Sequence, residues 1–229
     1  MSPQASPIER QTLRVRVNTV SLEADLSLPG AARGIVLFAH GSGSSRHSHR
    51  NQFVARMLQE SGFGTVLTDL LTTEEEHLDN QTREFRFDIE LLAKRLLATV
   101  DWISVQPTLK QLPIGLFGAS TGAAAALVAS AKRPDLVRAV VSRGGRPDLA
   151  GDSLKQVKSP TMLIVGGYDD AVLVLNEQAM KKMTCEVSLK VVPRATHLFE
   201  EPGALSQAAD FASSWFWGTL KTENAKAEQ

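Results

Sequence analysis

The stretch IGLFGASTGAAAAL, residues 114–127, decides how this chain is read. A short apolar run ends in glycine. Ser120 follows with a glycine two places to either side, and then comes a run of alanines. Either Ser120 is a nucleophile held out on a sharp turn, or it is a small residue in a tight connection. The pattern G-x-S-x-G cannot decide this alone, because a chain with 16 glycines can meet it by chance. What counts is its setting, a strand before the serine and a helix after it.

That setting is legible. PIGLFG (113–118) is a continuous apolar run bounded by proline and glycine, as expected of a strand covered on both faces. TGAAAALVASAK (121–132) reads as a helix whose small residues allow close approach to a sheet. Further apolar runs read as buried strands: GIVLFAH (34–40), FGTVLTDL (63–70), VRAVVSR (137–143), PTMLIVGG (160–167) and EVSLKVVP (186–193). Between them lie helical patterns at 50–61, 87–105 and 175–183, with a last one at 202–220. TLRVRV (12–17) and SLEADLSL (21–28) differ, alternating apolar and polar about an NT turn. They read as an antiparallel hairpin at one edge. Strands alternating with helices imply crossover connections, hence a mostly parallel sheet in a three-layer α/β/α sandwich. About fifteen residues separate the strands at 137–143 and 160–167, too few for a large cap domain.

Composition agrees with one α/β domain. The chain has 229 residues, 43% hydrophobic and 22% charged, enough apolar material for a sizeable core. We expect a single domain over 12–218 with polar tails at 1–11 and 219–229. Lys+Arg and Asp+Glu both number 25, so no basic face for nucleic acid is expected. No apolar run approaches the roughly 20 residues of a membrane span, and the opening residues lack a signal-peptide pattern. The one cysteine, Cys185, excludes an internal disulfide and a cysteine-based metal cluster. A cytoplasmic protein, monomeric or homodimeric, is the expectation.

In an open parallel sheet, ligands bind at the carboxyl ends of the strands. GASTG places Ser120 there, at the start of a helix whose N–H groups and dipole would favour an oxyanion. A serine nucleophile needs a base, and the base needs an orienting acid. After Ser120 the chain holds one histidine, His197, in a loop that follows the last strand. The acid is expected in GGYDDAV (166–172). Asp169 is preferred, with Asp170 as a flanking or capping residue and Asp148 as a third candidate. The loop HGSGSSR (40–46) is glycine-rich and can approach a substrate closely. The backbone N–H groups of Ser42 and Thr121 are the expected oxyanion donors. His40 is expected to buttress this loop.

These motifs, GASTG, GGYDDAV and ATH in that order, with HGSGSS upstream and no cap, resemble the α/β-hydrolase superfamily. Within it the chain resembles the compact dienelactone hydrolase-like group, from about Leu13 to Trp217. The resemblance implies an eight-stranded, mostly parallel sheet and a Ser120–Asp169–His197 triad. Dienelactone hydrolases proper carry cysteine at the turn where this chain has serine, which points toward esterase-type chemistry. The stretch 39–55 is also similar to a subgroup of such domains, some of them fused to phosphoribosyltransferases. The implied activity is hydrolysis of small acyl esters or thioesters without metal or organic cofactor. The alternatives are acyl transfer by the same triad and a non-catalytic interaction module.

Three arginines are candidate substrate contacts: Arg46 beside the glycine-rich loop, and Arg143 and Arg146 at a strand's carboxyl end. Arg143 or Arg146 is expected to meet the carboxylate of an acidic ester, unless they serve structural ion pairs. His47 and His49 have no partner ligands at metal spacing, so no metal site is expected. The acidic segment 71–86 reads as irregular and as a pocket wall, with Glu74 to Glu76 solvated. Trp102, Phe211, Trp215 and Phe216 fall at core-facing helical spacings, while a Trp215/Trp217 face could instead form a dimer contact.

Overall fold

The computed structural model describes residues 8–221. Its strands are β1 (Ile8–Val17), β2 (Val20–Pro29), β3 (Ile35–Ala39), β4 (Gly64–Thr68), β5 (Ile114–Ala119), β6 (Val137–Arg143), β7 (Thr161–Gly166) and β8 (Val187–Val192). The helices are α1 (His49–Glu60), α2 (Thr73–Thr82), α3 (Ile89–Val105), α4 (Thr121–Lys132), α5 (Asp170–Met180) and α6 (Ala204–Thr219), with a kinked 3-10 segment at Pro147–Gln156. One eight-stranded sheet has the order β1-β2-β4-β3-β5-β6-β7-β8. The β1–β2 hairpin is antiparallel and joins β4 antiparallel; every other pairing is parallel.

The pattern of hydrophobicity explains this order. β3, β4, β5 and β7 are buried at every residue, because helices cover both faces of the sheet there. Val36 and Phe38 point to one face and pack with α1 and α6, against Val54, Leu58 and Phe216. Ile35, Leu37 and Ala39 point to the other, packing with α3 and α4, against Leu96 and Ala124. β2 keeps the alternation of a half-covered edge. β1 begins at Ile8, not at residue 12, since its register with β2 runs from Ile8 opposite Pro29. Glu9, Arg10 and Gln11 are exposed on an edge strand, so backbone pairing extends the strand where side chains give no signal. Of the expected tails at 1–11 and 219–229, residues 1–7 and 222–229 lie outside the described residues, while β1 takes in 8–11 and α6 runs to Thr219. No helix among the described residues is long and apolar enough to cross a membrane.

The segment expected to be irregular is largely helical. α2 starts with a capping box: Glu75 N–H donates to Thr72 Oγ1 at 3.2 Å, and Thr72 N–H donates to Glu75 Oε2 at 2.8 Å. Glu75 is therefore not simply solvated. It also accepts two bonds, at 2.5 and 2.7 Å, from the guanidinium of Arg95, which is 4% exposed on α3. Partial burial opposes ionisation of Glu75, but Arg95 and the Thr72 N–H outweigh it and hold the carboxyl below its ordinary value. Glu75→Ala would leave Arg95 buried without a carboxylate partner, and should cost roughly 3 kcal/mol in denaturant unfolding. Since the folded value is depressed, the contribution of Glu75 is complete above its unfolded pKa and is lost as pH falls through the folded one. Wild-type and Glu75→Ala stabilities should therefore converge in acid.

Candidate active site

Ser120 is the N-terminal boundary of α4, at the carboxyl end of β5, with φ 51° and ψ −121°. A side chain at such a φ is strained by about 1–3 kcal/mol and persists only where its surroundings dictate it. Here they do. A Cβ on Gly118 would come within 2.4 Å of Ala123 Cα, and one on Gly122 within 2.3 Å of Ala39 O. Glycine at both positions lets β5, α4 and β3 meet around the serine. The fully buried Ala123 to Ala126 bring α4 down onto the sheet. The loop after β6 wraps the turn from the other side, where Arg146 N–H donates to Ser120 O at 3.1 Å.

His197 lies on the loop after β8, between two residues of positive φ, Arg194 and Phe199. This loop is tied to the one after β7 by Tyr168 N–H donating to Ala195 O at 2.9 Å. Asp169 follows Tyr168 and begins α5, yet its side chain makes no cap bond. The carboxylate instead meets His197, with Asp169 Oδ2 2.7 Å from His197 Nδ1. His197 is 38% exposed and Asp169 14%, so the acid is sheltered while the ring remains accessible. Ser120 and His197 line the same pocket of about 210 Å³, together with Gly41, Ser42 and Arg143. Ser120 Oγ carries no hydrogen bond to a described residue. The other two acids lie elsewhere: Asp170 is exposed, and Asp148 takes both oxygens to Arg146 at 2.9 and 2.7 Å.

The loop after β3 closes the pocket beside Ser120. A Cβ on Gly41 would be 3.0 Å from Ser120 Cβ. Ser42 Oγ is 3.0 Å from Thr121 Oγ1, which ties this loop to the start of α4. Neither Ser42 N–H nor Thr121 N–H donates to a described residue. His40 accepts from Leu70 N–H at Nε2, 3.0 Å away, and so carries its proton on Nδ1, 3.0 Å from Gly41 O. Burial pushes its pKa below the ordinary histidine value and keeps the ring neutral. That is a buttress, not a base.

Of the three candidate arginines, the structure brings one to the pocket. Arg46 turns to the sheet edge and pairs with Asp69, Glu23 and Asp25. Arg146 is taken by Asp148. Neither appears among the pocket's walls, because carboxylates close by capture them first. Arg143 is 6% exposed, lines the pocket, and has no acidic partner among the described residues. Its guanidinium carbon sits 5.5 Å from the ring centroid of Phe199. Burial, with the nearby charge of Arg50, pushes its pKa down to about 10, so it is still charged at neutral pH.

Sequence reading missed Asp79. It is 2% exposed near the end of α2 and accepts from the N–H groups of Phe85 and Arg86 and from Arg86 Nε, at 2.8, 2.9 and 2.7 Å. Burial would raise its pKa, but these donors, the Arg86 N–H foremost, outweigh that and hold the carboxyl low. Arg86 O in turn accepts from Ser42 Oγ at 3.3 Å. Asp79 thus anchors the connection that supports the glycine-rich loop.

A strained serine between a β-strand and a helix, at the centre of this sheet, with a carboxylate–histidine pair on the last two loops, defines an α/β-hydrolase. Residues 22–223 match the Dienelactone hydrolase family, and the chain belongs to that family. The chain is 54% identical to a dienelactone hydrolase from Anabaena variabilis of known crystal structure, over 93% of this chain and 99% of that one, with a TM-score of 0.92. It is 55% identical over 210 residues to a protein named "Putative phosphoribosyl transferase" in each of two Mycobacterium tuberculosis strains. That match takes in 92% of this chain and 46% of each relative, so the chain spans about half their length. Est1E from Butyrivibrio proteoclasticus shares the fold at 15% identity and a TM-score of 0.75, over 90% of this chain and 98% of that one.

Proposed function

We propose that the protein is a serine hydrolase that cleaves small acyl esters or thioesters through an acyl-enzyme. The observation that carries this reading is the 2.7 Å Asp169–His197 contact in a pocket that also presents Ser120 on a strained turn. Asp169 accepts from Nδ1–H and so leaves the lone pair of His197 on Nε2. Nε2 takes the Ser120 proton as Oγ attacks the acyl carbon. The carbonyl oxygen gains negative charge, and the N–H groups of Ser42 and Thr121 can donate hydrogen bonds to it. The bond to the leaving alcohol or thiol breaks, and His197 returns the proton to it. Water then loses a proton to His197 and adds to the acyl carbon; the bond to Ser120 Oγ breaks, His197 returns the proton to Oγ, and the acid leaves.

The pocket volume of about 210 Å³ suits a short acyl group. Aryl esters from acetate to octanoate should give kcat/KM values that are highest for the short acyl chains. A fluorophosphonate probe should label the protein once, and peptide mapping should place the label on Ser120. A rate rising steadily with chain length would overturn the short-acyl preference. Failure of the folded protein to react with the probe would overturn the serine mechanism itself.

A further inference from the structure

The fold gives nearly every arginine it draws inward a carboxylate. Arg46 meets Asp69, Arg86 meets Asp79, Arg95 meets Glu75, Arg133 meets Asp101, and Arg146 meets Asp148. Arg143 breaks the pattern. It is more buried than all of these but Arg95, and its Nε has no partner and is shut away from solvent. The face of Phe199 orients the guanidinium but does not neutralise it. Burying an uncompensated cation is costly, so a fold that keeps one beside a pocket holds it for something that arrives there.

The rest of the pocket wall has the same bias. Arg50 lines it too, and its only carboxylate contact among the described residues is a 3.4 Å approach to Glu200, whose side chain is 66% exposed. Such a rim pair is weak. The 12-residue helix α1 begins at the pocket: Ser48 is its N-cap, its first turn has no acidic residue, and Ser48, Arg50 and Asn51 all line the wall. Asn51 is 2% exposed and its Oδ1 has no partner. A half-turn of that amide would offer the cavity two donors instead. Among the described residues, no aspartate or glutamate lines this pocket. Two guanidinium groups, a helix N-terminus and serine hydroxyls thus converge on one space next to Ser120.

We infer that the ester cleaved at Ser120 carries a phosphate-type dianion, seated between Arg143, Arg50 and the N-terminus of α1. The count of charges favours a dianion over a carboxylate. A carboxylate would leave one of the two guanidinium charges uncompensated, whereas a phosphate monoester matches both and spreads its charge over three oxygens. The inference rests on the reading of Ser120 as nucleophile, but the dianion seat itself does not need catalysis.

The test therefore has a binding arm and a kinetic arm. Phenyl phosphate, inorganic phosphate, benzoate and benzyl alcohol are titrated calorimetrically into Ser120→Ala protein. Phenyl phosphate should bind tightest, and adding Arg143→Gln or Arg50→Gln should each weaken it by about tenfold or more. The order of the two phosphates tells a phosphate-bearing substrate from free phosphate, and tighter binding of inorganic phosphate would overturn the substrate assignment. Equal or tighter binding of benzoate would overturn the dianion. The kinetic arm compares 4-acetoxyphenyl phosphate, 4-acetoxybenzoate and 4-methylphenyl acetate in the wild type. The phosphate ester should have the highest kcat/KM, and Arg143→Gln should collapse its ratio to the neutral ester. An unchanged ratio, with both rates lowered alike, would mean that Arg143 acts on the reacting carbonyl and would overturn the inference. If Arg143→Gln fails to fold, as judged by circular dichroism, Arg143→Lys and the partly exposed Arg50→Gln take its place with the same expected losses. Phenyl phosphate binding without esterase activity would sink the serine hydrolase reading, and with it the substrate assignment, and leave only the dianion seat. Activity without phosphate selectivity would sink this inference alone.

Discussion

Ser120→Ala should lower kcat on a short aryl ester by roughly 10⁴- to 10⁶-fold, the range in which removing a serine nucleophile removes its triad's contribution. Single-turnover kinetics and loss of fluorophosphonate labelling check this. A drop of less than about tenfold would show that the pocket works without covalent attack. A companion variant tests the strain. At φ 51° and ψ −121° any side chain is strained, and alanine inherits the problem while glycine does not. Ser120→Gly should be as inactive as Ser120→Ala but more stable than it by about 1 kcal/mol, after allowing for the larger entropy glycine loses on folding. In a domain of this size that is a rise in Tm of about 2–4 °C. Equal melting temperatures would mean that the turn is relaxed.

Asp169→Asn should lower kcat by about 10⁴-fold with little change in Tm. An asparagine amide can turn its NH₂ toward Nδ1 of His197, which moves the ring proton to Nε2 and leaves no lone pair there for the Ser120 hydroxyl. Asp170→Asn and Asp148→Asn serve as controls. Asp170 is exposed and Asp148 is spent on Arg146, so each should change kcat by less than about threefold. A result in which Asp148→Asn or Asp170→Asn is the damaging change would reassign the acid.

Much of this fold was legible because its decisive signals are local. A parallel strand buried on both faces has a continuous apolar run, and the turn at Ser120 is spelled in adjacent residues. Ser120, Asp169 and His197 could be nominated because each follows a strand, and strand ends gather on one side of a parallel sheet. The misses arose where hydrophobic periodicity is silent or where charged partners, near or distant, decide. α2 has little hydrophobic periodicity, since its sequence TEEEHLDNQT offers little but Leu78; its signal was the Thr72–Glu75 capping box, which composition obscured. Arg46, Arg143 and Arg146 look alike in sequence. They are sorted by carboxylates: those of Glu23, Asp25 and Asp69 come to Arg46 from other strands and loops, while Asp148 lies two positions beyond Arg146. Arg143 is distinguished by what fails to reach it, which no spacing rule reveals.

The contact between Arg143 and Phe199 bears on how such a pocket can change over generations. Phe199 belongs to the short loop that carries His197, and its backbone N–H closes that loop on Thr196 O at 3.2 Å. An aromatic ring that steadies the anion-facing guanidinium is therefore also part of the mount for the histidine. Altering one disturbs the other. Drift toward a new acyl or leaving group is open through the outer rim, where Arg50, on α1, can vary without touching the mount. Exchange of Arg143 removes the cation that Phe199 faces, so lineages that keep the one should tend to keep the other. The pair is a ratchet on specificity: easy to retain, and costly to leave by single steps.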